Sequence, residues 1–355
     1  MYKRILFIAE RNMGAFPNVM LHGIPHALER LGYEVMRLMP ETCDYDQFAT
    51  VCKNFQPELV FGTIGTYCVK VGSFLKALKV APALNWWLED PNGNEMEVFE
   101  ASKAFDLWLT INPQGPPYWP TKSCFVPLAY DETIFQPLAM PKQFDVSFIG
   151  TTGDRLGREM SIPYLNALAS RGQRALLCIE RPLGVPILPK PLEMCLRSRK
   201  LRRLWQFLPV WKHTWKTPRN GLEKNVFINQ SKIHFAYNTV RGEWELAYKK
   251  RYPDYPLGEC GWFVQVKARL FEGVGSGAMV LTDNFPGLEN MFDVGQEVVT
   301  YTCGCSSEIK EKLEWYLRND SERERIARAG NERARTEHTL TCRVRQIMQL
   351  ADKML

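Results

Sequence analysis

The chain has 355 residues, 45% of them apolar and 24% charged, with a formal net charge of +6, enough length and apolar content for two globular domains. No run approaches the roughly 18 uninterrupted apolar residues of a membrane span, and so modest a positive excess does not by itself point to nucleic acid. Ten cysteines are scattered without a CxxC pair and five histidines form no cluster, which excludes a disulfide framework or a structural zinc and fits a reduced, cytoplasmic protein.

Residues 5–9 form a short apolar run that Glu10, Arg11 and Asn12 cut below the roughly 7–15 residues of a signal-peptide core. They read as a first buried strand. A loop containing Gly14 follows, then helical apolar spacing over 19–31, Gly32, and a strand at 34–38. The pattern recurs with a strand at 59–61 ending in Gly62-Thr-Ile-Gly65, a helix over 69–78 and a strand at 83–88. Two more strands are predicted at 106–111 and 124–127. Such alternation implies a parallel sheet covered on both faces, with ligands gathering at the carboxyl ends of its strands.

Pro137 and Pro141 interrupt residues 131–142, and a strand at 145–149 opens a fresh series, so the domains are expected to be 1–140 and 141–340. The second series runs through Gly150-Thr-Thr-Gly153, a helix over 160–171 and a strand at 174–179. A proline-rich basic insertion occupies 182–220. Order resumes at 226–240, with a helix over 264–274, strands at 278–282 and 297–301, and helices over 306–319 and 321–337. A last helix, 341–355, is expected to pack back on the first domain.

The passage Lys267-Ala-Arg-Leu-Phe-Glu272-Gly-Val-Gly-Ser-Gly277-Ala-Met-Val-Leu-Thr-Asp283-Asn-Phe-Pro-Gly287-Leu-Glu289 resembles the donor-binding signature of GT-B glycosyltransferases. It is similar in particular to the group named after the spore protein CgeB. The similarity continues through Phe292-Asp-Val-Gly-Gln-Glu-Val-Val-Thr-Tyr301 and Glu322-Arg-Glu-Arg-Ile-Ala-Arg-Ala-Gly330 to His338-Thr339. Weaker echoes stand at Asp145-Val-Ser-Phe-Ile-Gly150, Gln230-Ser-Lys-Ile233 and Asn85-Trp-Trp-Leu-Glu-Asp90-Pro91. The fold class this implies is α/β of GT-B type: two Rossmann-like doubly wound domains facing across a cleft, the first on the acceptor side, the second holding a nucleotide-sugar donor.

By that resemblance Glu272 matches the second glutamate of an E-x7-E motif and accepts hydrogen bonds from the ribose hydroxyls. Val264 stands where the first glutamate belongs, which leaves open how the transferred sugar is gripped and whether its configuration is retained. Lys267 and Arg269 are the implied diphosphate contacts, with Gly150, Thr151, Thr152 and Arg155 as an opposing phosphate loop. The residues themselves agree with this reading. The small residues 273–277 let backbone approach a ligand, and the loop through Gly287, Leu288 and Glu289 leads to a predicted helix start whose free N–H groups suit an anion. The plain alternative is a solvated Arg269–Glu272 ion pair on a helix surface.

Glu89 and Asp90 fall at the carboxyl end of a strand, where a carboxylate facing the anomeric carbon could deprotonate the acceptor hydroxyl. Asp90 is the catalytic candidate; its structural alternative is to cap the turn at Pro91-Asn-Gly93. His22 and His26 are spaced to share a helical face, but HGIPH lacks a zinc-protease glutamate and reads as structural or, failing that, acceptor-lining. No Asp-x-Asp couple stands at a strand end, so no metal is required and the donor, a nucleoside-diphosphate sugar, is the one small-molecule partner implied.

Between 197 and 219 arginines and lysines alternate with Trp205, Trp211, Trp215 and leucines. This stripe suits an anionic membrane surface, which would place the protein peripherally at the inner face of the membrane, or single-stranded nucleic acid, or an ordinary surface with its tryptophans turned inward. The leading reading is transfer of sugar to a glycan, lipid-linked or protein acceptor. The alternatives are a DNA-base glycosyltransferase, a sugar-nucleotide epimerase of the same architecture, and a nucleotide-sugar-binding protein without transferase activity.

Overall fold

A computed structural model describes residues 2–10, 22–65, 67–88, 95–151, 164–168, 174–180, 218–240, 253 and 263–355. The chain divides into two compact units, the first made of Met1–Thr133, Trp244–Phe271 and Ala334–Leu355, the second of Ile134–Glu243 and Glu272–Arg333. Among the described residues no helix is long and apolar enough to cross a membrane.

The first unit alternates β1 (Arg4–Ala9), α1 (Ile24–Arg30), β2 (Glu34–Leu38), α2 (Tyr45–Phe55), β3 (Leu59–Thr63), α3 (Cys68–Leu78), β4 (Ala83–Trp87), α4 (Glu95–Ser102), β5 (Leu107–Thr110) and β6 (Ser123–Phe125). All its strand pairs are parallel, in the order β2-β1-β3-β4-β5-β6. Every residue of β3, β4 and β5 is buried, as a sheet covered on both faces requires, and their sequences are accordingly near-continuous apolar runs. Only the edge strand β2 is largely exposed.

The second unit contains β7 (Phe144–Thr151), β8 (Ala175–Glu180), α5 (Gly221–Asn229), β9 (Ser231–Phe235) and the two-residue β10 (Thr239–Val240). β11 (Phe263–Val264) and α9 (Leu340–Met354) belong to the first unit; the second continues with part of α6 (Ala268–Gly275), then β12 (Met279–Asp283), β13 (Val299–Tyr301), α7 (Ser306–Arg318) and most of α8 (Asp320–Glu337). Its main sheet is parallel in the order β13-β12-β9-β7-β8. Numbered by appearance within each sheet, both units share the winding 2-1-3-4-5, the first adding β6 as a sixth strand. In this winding the order reverses between the first and third strands, and ligands bind outside the carboxyl ends there. The two reversal points lie between β1 and β3 and between β7 and β9.

Helices at 45–55, 95–102 and 221–229 are not predicted from the sequence, and another is predicted to begin too early. Residues 45–55 form α2, opened by a capping box in which Asp44 Oδ1 accepts from Gln47 N at 2.8 Å and Gln47 Oε1 accepts from Asp44 N at 3.1 Å. The helix placed over 264–274 begins only at Ala268: Val264 lies in β11, and the Val266 amide donates to Ile111 O at 3.2 Å, holding this segment extended. The last helix, α9, packs on α1. Arg30 Nε donates to Thr341 Oγ1 at 3.2 Å, and a Cβ on Gly23 would stand 2.6 Å from Leu340 Cδ2.

Candidate functional site

At the reversal point of the second sheet, β7 ends in Gly150 and Thr151, and β9 runs out through Tyr237 and Asn238 to Thr239. Asp283, the last residue of β12, is fully buried and ties the segment leaving β9 to the end of β12. Its carboxylate accepts from the backbone amides of Asn238 (2.8 and 2.9 Å) and Thr239 (2.7 Å), from Asn238 Nδ2 (3.2 Å) and from the Thr239 hydroxyl (2.5 Å). Burial pushes this carboxyl above the ordinary aspartate value, and the hydrogen bonds from Thr239 and Asn238 oppose the push. Beneath lie the rings of Phe148, Phe235, Tyr237 and Tyr301, with Phe148 stacked on Tyr237 at 5.6 Å and Phe235 on Tyr301 at 5.4 Å.

Glu272 lies in α6, on the chain just ahead of β12, and is only 4% exposed. Its Oε2 is 2.6 Å from Lys224 Nζ on α5, with 7% and 5% of the two side chains accessible. The solvated Arg269–Glu272 pair is therefore not what the fold builds: the partner is a buried lysine. Arg269, one turn earlier on α6, is half-buried, as is Lys267, whose ammonium donates to Gln265 Oε1. The small residues after Glu272 bring the helix onto the sheet. A Cβ on Gly273 would meet His234 Cδ2 and Val280 Cγ2, both at 2.7 Å. The carbonyls ending α6 are capped by Asn331 Nδ2, which donates to Val274 O at 2.8 Å and Gly275 O at 2.9 Å.

The loop after β12 is more self-contained than its sequence suggests. The helix start expected at Glu289 is a single 3₁₀ turn, Leu288–Asn290. Gly287 has φ +91°, and its amide, expected to be free for an anion, donates to Glu289 Oε1 and Oε2 at 3.3 and 3.1 Å. Leu288 is fully buried and Glu289 exposed.

In the first unit the reversal point is organised by Glu10, which as a sequence feature only ended an apolar run. It is 6% exposed, and its Oε1 accepts from the amides of Gly65 at 2.6 Å and Tyr67 at 2.8 Å, holding the loop between β3 and α3. Asn85 clamps the same loop: its Oδ1 accepts from Ile64 N and its Nδ2 donates to Ile64 O, each at 3.0 Å. Gly65 is forced by Trp87, whose ring would lie 2.1 Å from an added Cβ.

Glu89 and Asp90 follow β4 directly but lie outside the described residues, as do Gly14, Thr152, Arg155 and nearly all of the basic stripe. His22 and His26 have ring centroids 6.5 Å apart. His338 is buried with Nδ1 3.2 Å from Arg343 NH2, which makes that nitrogen the acceptor. Lys232 pairs with Asp145 at 3.3 Å. Of the residues the structure brings into play, Lys224, Asp283 and Glu10 were not singled out as site residues from sequence. Glu10 left a trace as the end of an apolar run and Asp283 as a member of the 267–289 motif; Lys224 left none.

Residues 202–349 match the sequence profile of a family described as glycosyl transferase-like. No curated protein sequence matches the chain. Among solved structures it is similar to sucrose-phosphate synthase from Thermosynechococcus elongatus, with a TM-score of 0.68 at 12% identity over 99% of this chain and 98% of that one. It is likewise similar to Anabaena HepE in complex with UDP and glucose, with a TM-score of 0.66 at 12% identity over 99% and 100% of the two chains. A third similar structure is the lipopolysaccharide outer core galactosyltransferase WaaB in its apo form, with a TM-score of 0.59 at 12% identity over 99% and 100%. With two parallel α/β units of matching winding, the chain has the GT-B fold of glycosyltransferases, and its second half carries a glycosyl transferase-like sequence.

Proposed function

We propose that the protein transfers a sugar from a nucleoside-diphosphate sugar to a hydroxyl acceptor on a glycan, lipid or protein, without a metal ion. The observation that carries this reading is Glu272: a carboxylate buried beside a lysine in the glycosyl transferase-like segment, on the helix leading into β12. A fixed carboxylate is a good acceptor for vicinal pentose hydroxyls, and Lys267 and Arg269 beside it on the chain are suited to a diphosphate. HepE structures of the same fold were obtained with UDP and glucose and with UDP-glucose, which makes uridine diphosphate sugars the first donors to try. The closer likeness to the CgeB-like group rests on the 267–289 motif and belongs to the same proposal. In the reaction, Asp90 takes the proton of the acceptor hydroxyl, while the leaving diphosphate is neutralised by Lys267, Arg269 and the loop from Gly150 to Arg155.

One observation favours a second reading. Val264, at the position of the motif's first glutamate, is 1% exposed and lies in a strand, so no carboxylate grips the transferred sugar from there. A protein that binds nucleotide sugars without transferring them would fit.

A panel of nucleoside-diphosphate sugars scored by thermal shift tests both. A donor at a hundredfold its dissociation constant adds about 2.7 kcal/mol to folded stability. Turnover of that donor by the native chain and not by Glu272→Ala supports the enzyme; binding without turnover supports the second reading. If no nucleotide sugar shifts the transition, the assignment fails.

A further inference from the structure

We infer that Lys224 is a positioning residue for the donor's pentose, holding the Glu272 carboxylate so that the site accepts ribonucleoside diphosphates over their 2′-deoxy counterparts. The inference rests on the donor-binding reading of Glu272.

A buried ion pair is a costly way to join α5 to α6. Taking both charges out of water cancels most of their attraction, and apolar residues of similar volume serve stability as well or better. The pair at 224 and 272 is therefore poorly explained as a fastener. It does explain how a carboxylate is held in one place at 4% exposure. Lys224 holds Oε2, and Oε1 accepts from no described residue.

Both ends of the pair stand on fixed backbone. On the lysine side, Asn220 Oδ1 caps α5 by accepting from Glu223 N at 2.9 Å. Asn225 Oδ1 accepts from Gln136 N at 3.3 Å, and Asn229 Oδ1 from Leu138 N at 2.7 Å. On the glutamate side, Gly273 seats α6 against His234 and Val280, and Asn331 closes its last turn. A carboxylate whose one oxygen is pinned on rigid helices offers the other in a fixed direction. Such a group reads the presence of a hydroxyl, because an analogue lacking it leaves a buried charge without its donor.

The test uses the full chain and isothermal titration calorimetry, with the ribonucleoside 5′-diphosphates and matching 2′-deoxy diphosphates of uracil, guanine, adenine and cytosine. For the base that binds, the native chain takes the ribo form roughly ten- to a hundredfold more tightly, the range of one hydrogen bond to a charged group. Lys224→Met brings the ratio toward one. Should the single variant not fold, Lys224→Gln, which keeps a donor of similar length and removes only the charge, gives a ratio between those of the native chain and one. A Lys224→Met chain, or Lys224→Gln standing in for it, that keeps the native ratio overturns the inference and leaves the donor reading intact, as does a native ratio of one. No binding of any diphosphate by the native chain overturns both.

Discussion

Thr239 gives both its backbone amide and its hydroxyl to a single oxygen of Asp283, at 2.7 and 2.5 Å, so that the strand leaving β9 is tied to the end of β12 through one fully buried side chain. Asp283→Ala would strand the donors of Asn238 and Thr239 without an acceptor in the interior. The cost is about 3 kcal/mol or more, read as a fall in the urea midpoint at unchanged m-value. A variant within about 0.5 kcal/mol of the native chain would show that this knot is not holding the strand ends.

Asp145 gives the pH prediction. Burial alone would raise its carboxyl, but hydrogen bonds from the Arg174 amide and side chain and from Lys232 together hold it below the ordinary aspartate value. The folded state thus binds this proton more weakly than the unfolded state. Its contribution to stability is complete above the unfolded pKa of about 3.9 and is lost as pH falls through the lower folded value. Asp145→Asn removes that dependence, so the difference in melting temperature between native and variant chains shrinks as the pH is taken below about 4. A difference that stays constant across the acid limb contradicts the shift.

Two glycines separate crowding from backbone strain. Gly273→Ala places a methyl 2.7 Å from both His234 Cδ2 and Val280 Cγ2, and the His234 ring is itself held by Ser147 Oγ at 3.0 Å, so α6 must lift. The expected loss is about 1–3 kcal/mol, with weaker nucleotide binding because Glu272 moves with the helix. Gly32, at φ +91° with nothing within 4 Å of an added Cβ, meets strain alone. Gly32→Ala costs about 1 kcal/mol and leaves nucleotide affinity unchanged. Equal affinities in the two variants would detach Glu272 from the donor.

If diphosphate charge is met by side chains and backbone amides, transfer runs at the same rate in the presence of excess EDTA. Loss of turnover that added magnesium or manganese restores would require a metal in the mechanism.

Asp90→Asn abolishes transfer while donor affinity stays at the native level, since the side chain acts on the acceptor. Unchanged turnover would remove Asp90 from the chemistry and direct attention to Glu10, whose carboxylate stands at the reversal point of the first sheet.

The parallel sheets were legible because strands buried on both faces announce themselves. Leu59–Thr63 and Met279–Asp283 are continuous apolar runs bounded by polar or glycine positions, and the predicted strands at 59–61 and 278–282 fall within a residue or two of them. The helix α2 escaped although Asp44 and Gln47 spell its capping box, because its mixed polarity masks an apolar stripe of which only Phe48 and Cys52 are buried. The start of α6 was set too early because the apolar residues Phe263, Val264 and Val266 suit either period, and the choice is made by the bond to Ile111 more than a hundred residues away. Glu272 was singled out from its motif. Lys224 could not be: a lysine on an exposed-looking helix is ordinarily solvated, and its burial depends on a carboxylate that the chain supplies only later.

The docking of α9 on α1 carries a consequence for synthesis. The helix that covers α1 is synthesised long after it, so the nascent N-terminal half emerges with the apolar face of α1 bare. Residues 1–133 expressed by themselves should therefore associate or recruit chaperones, and supplying 334–355 as a separate peptide should restore a monodisperse species.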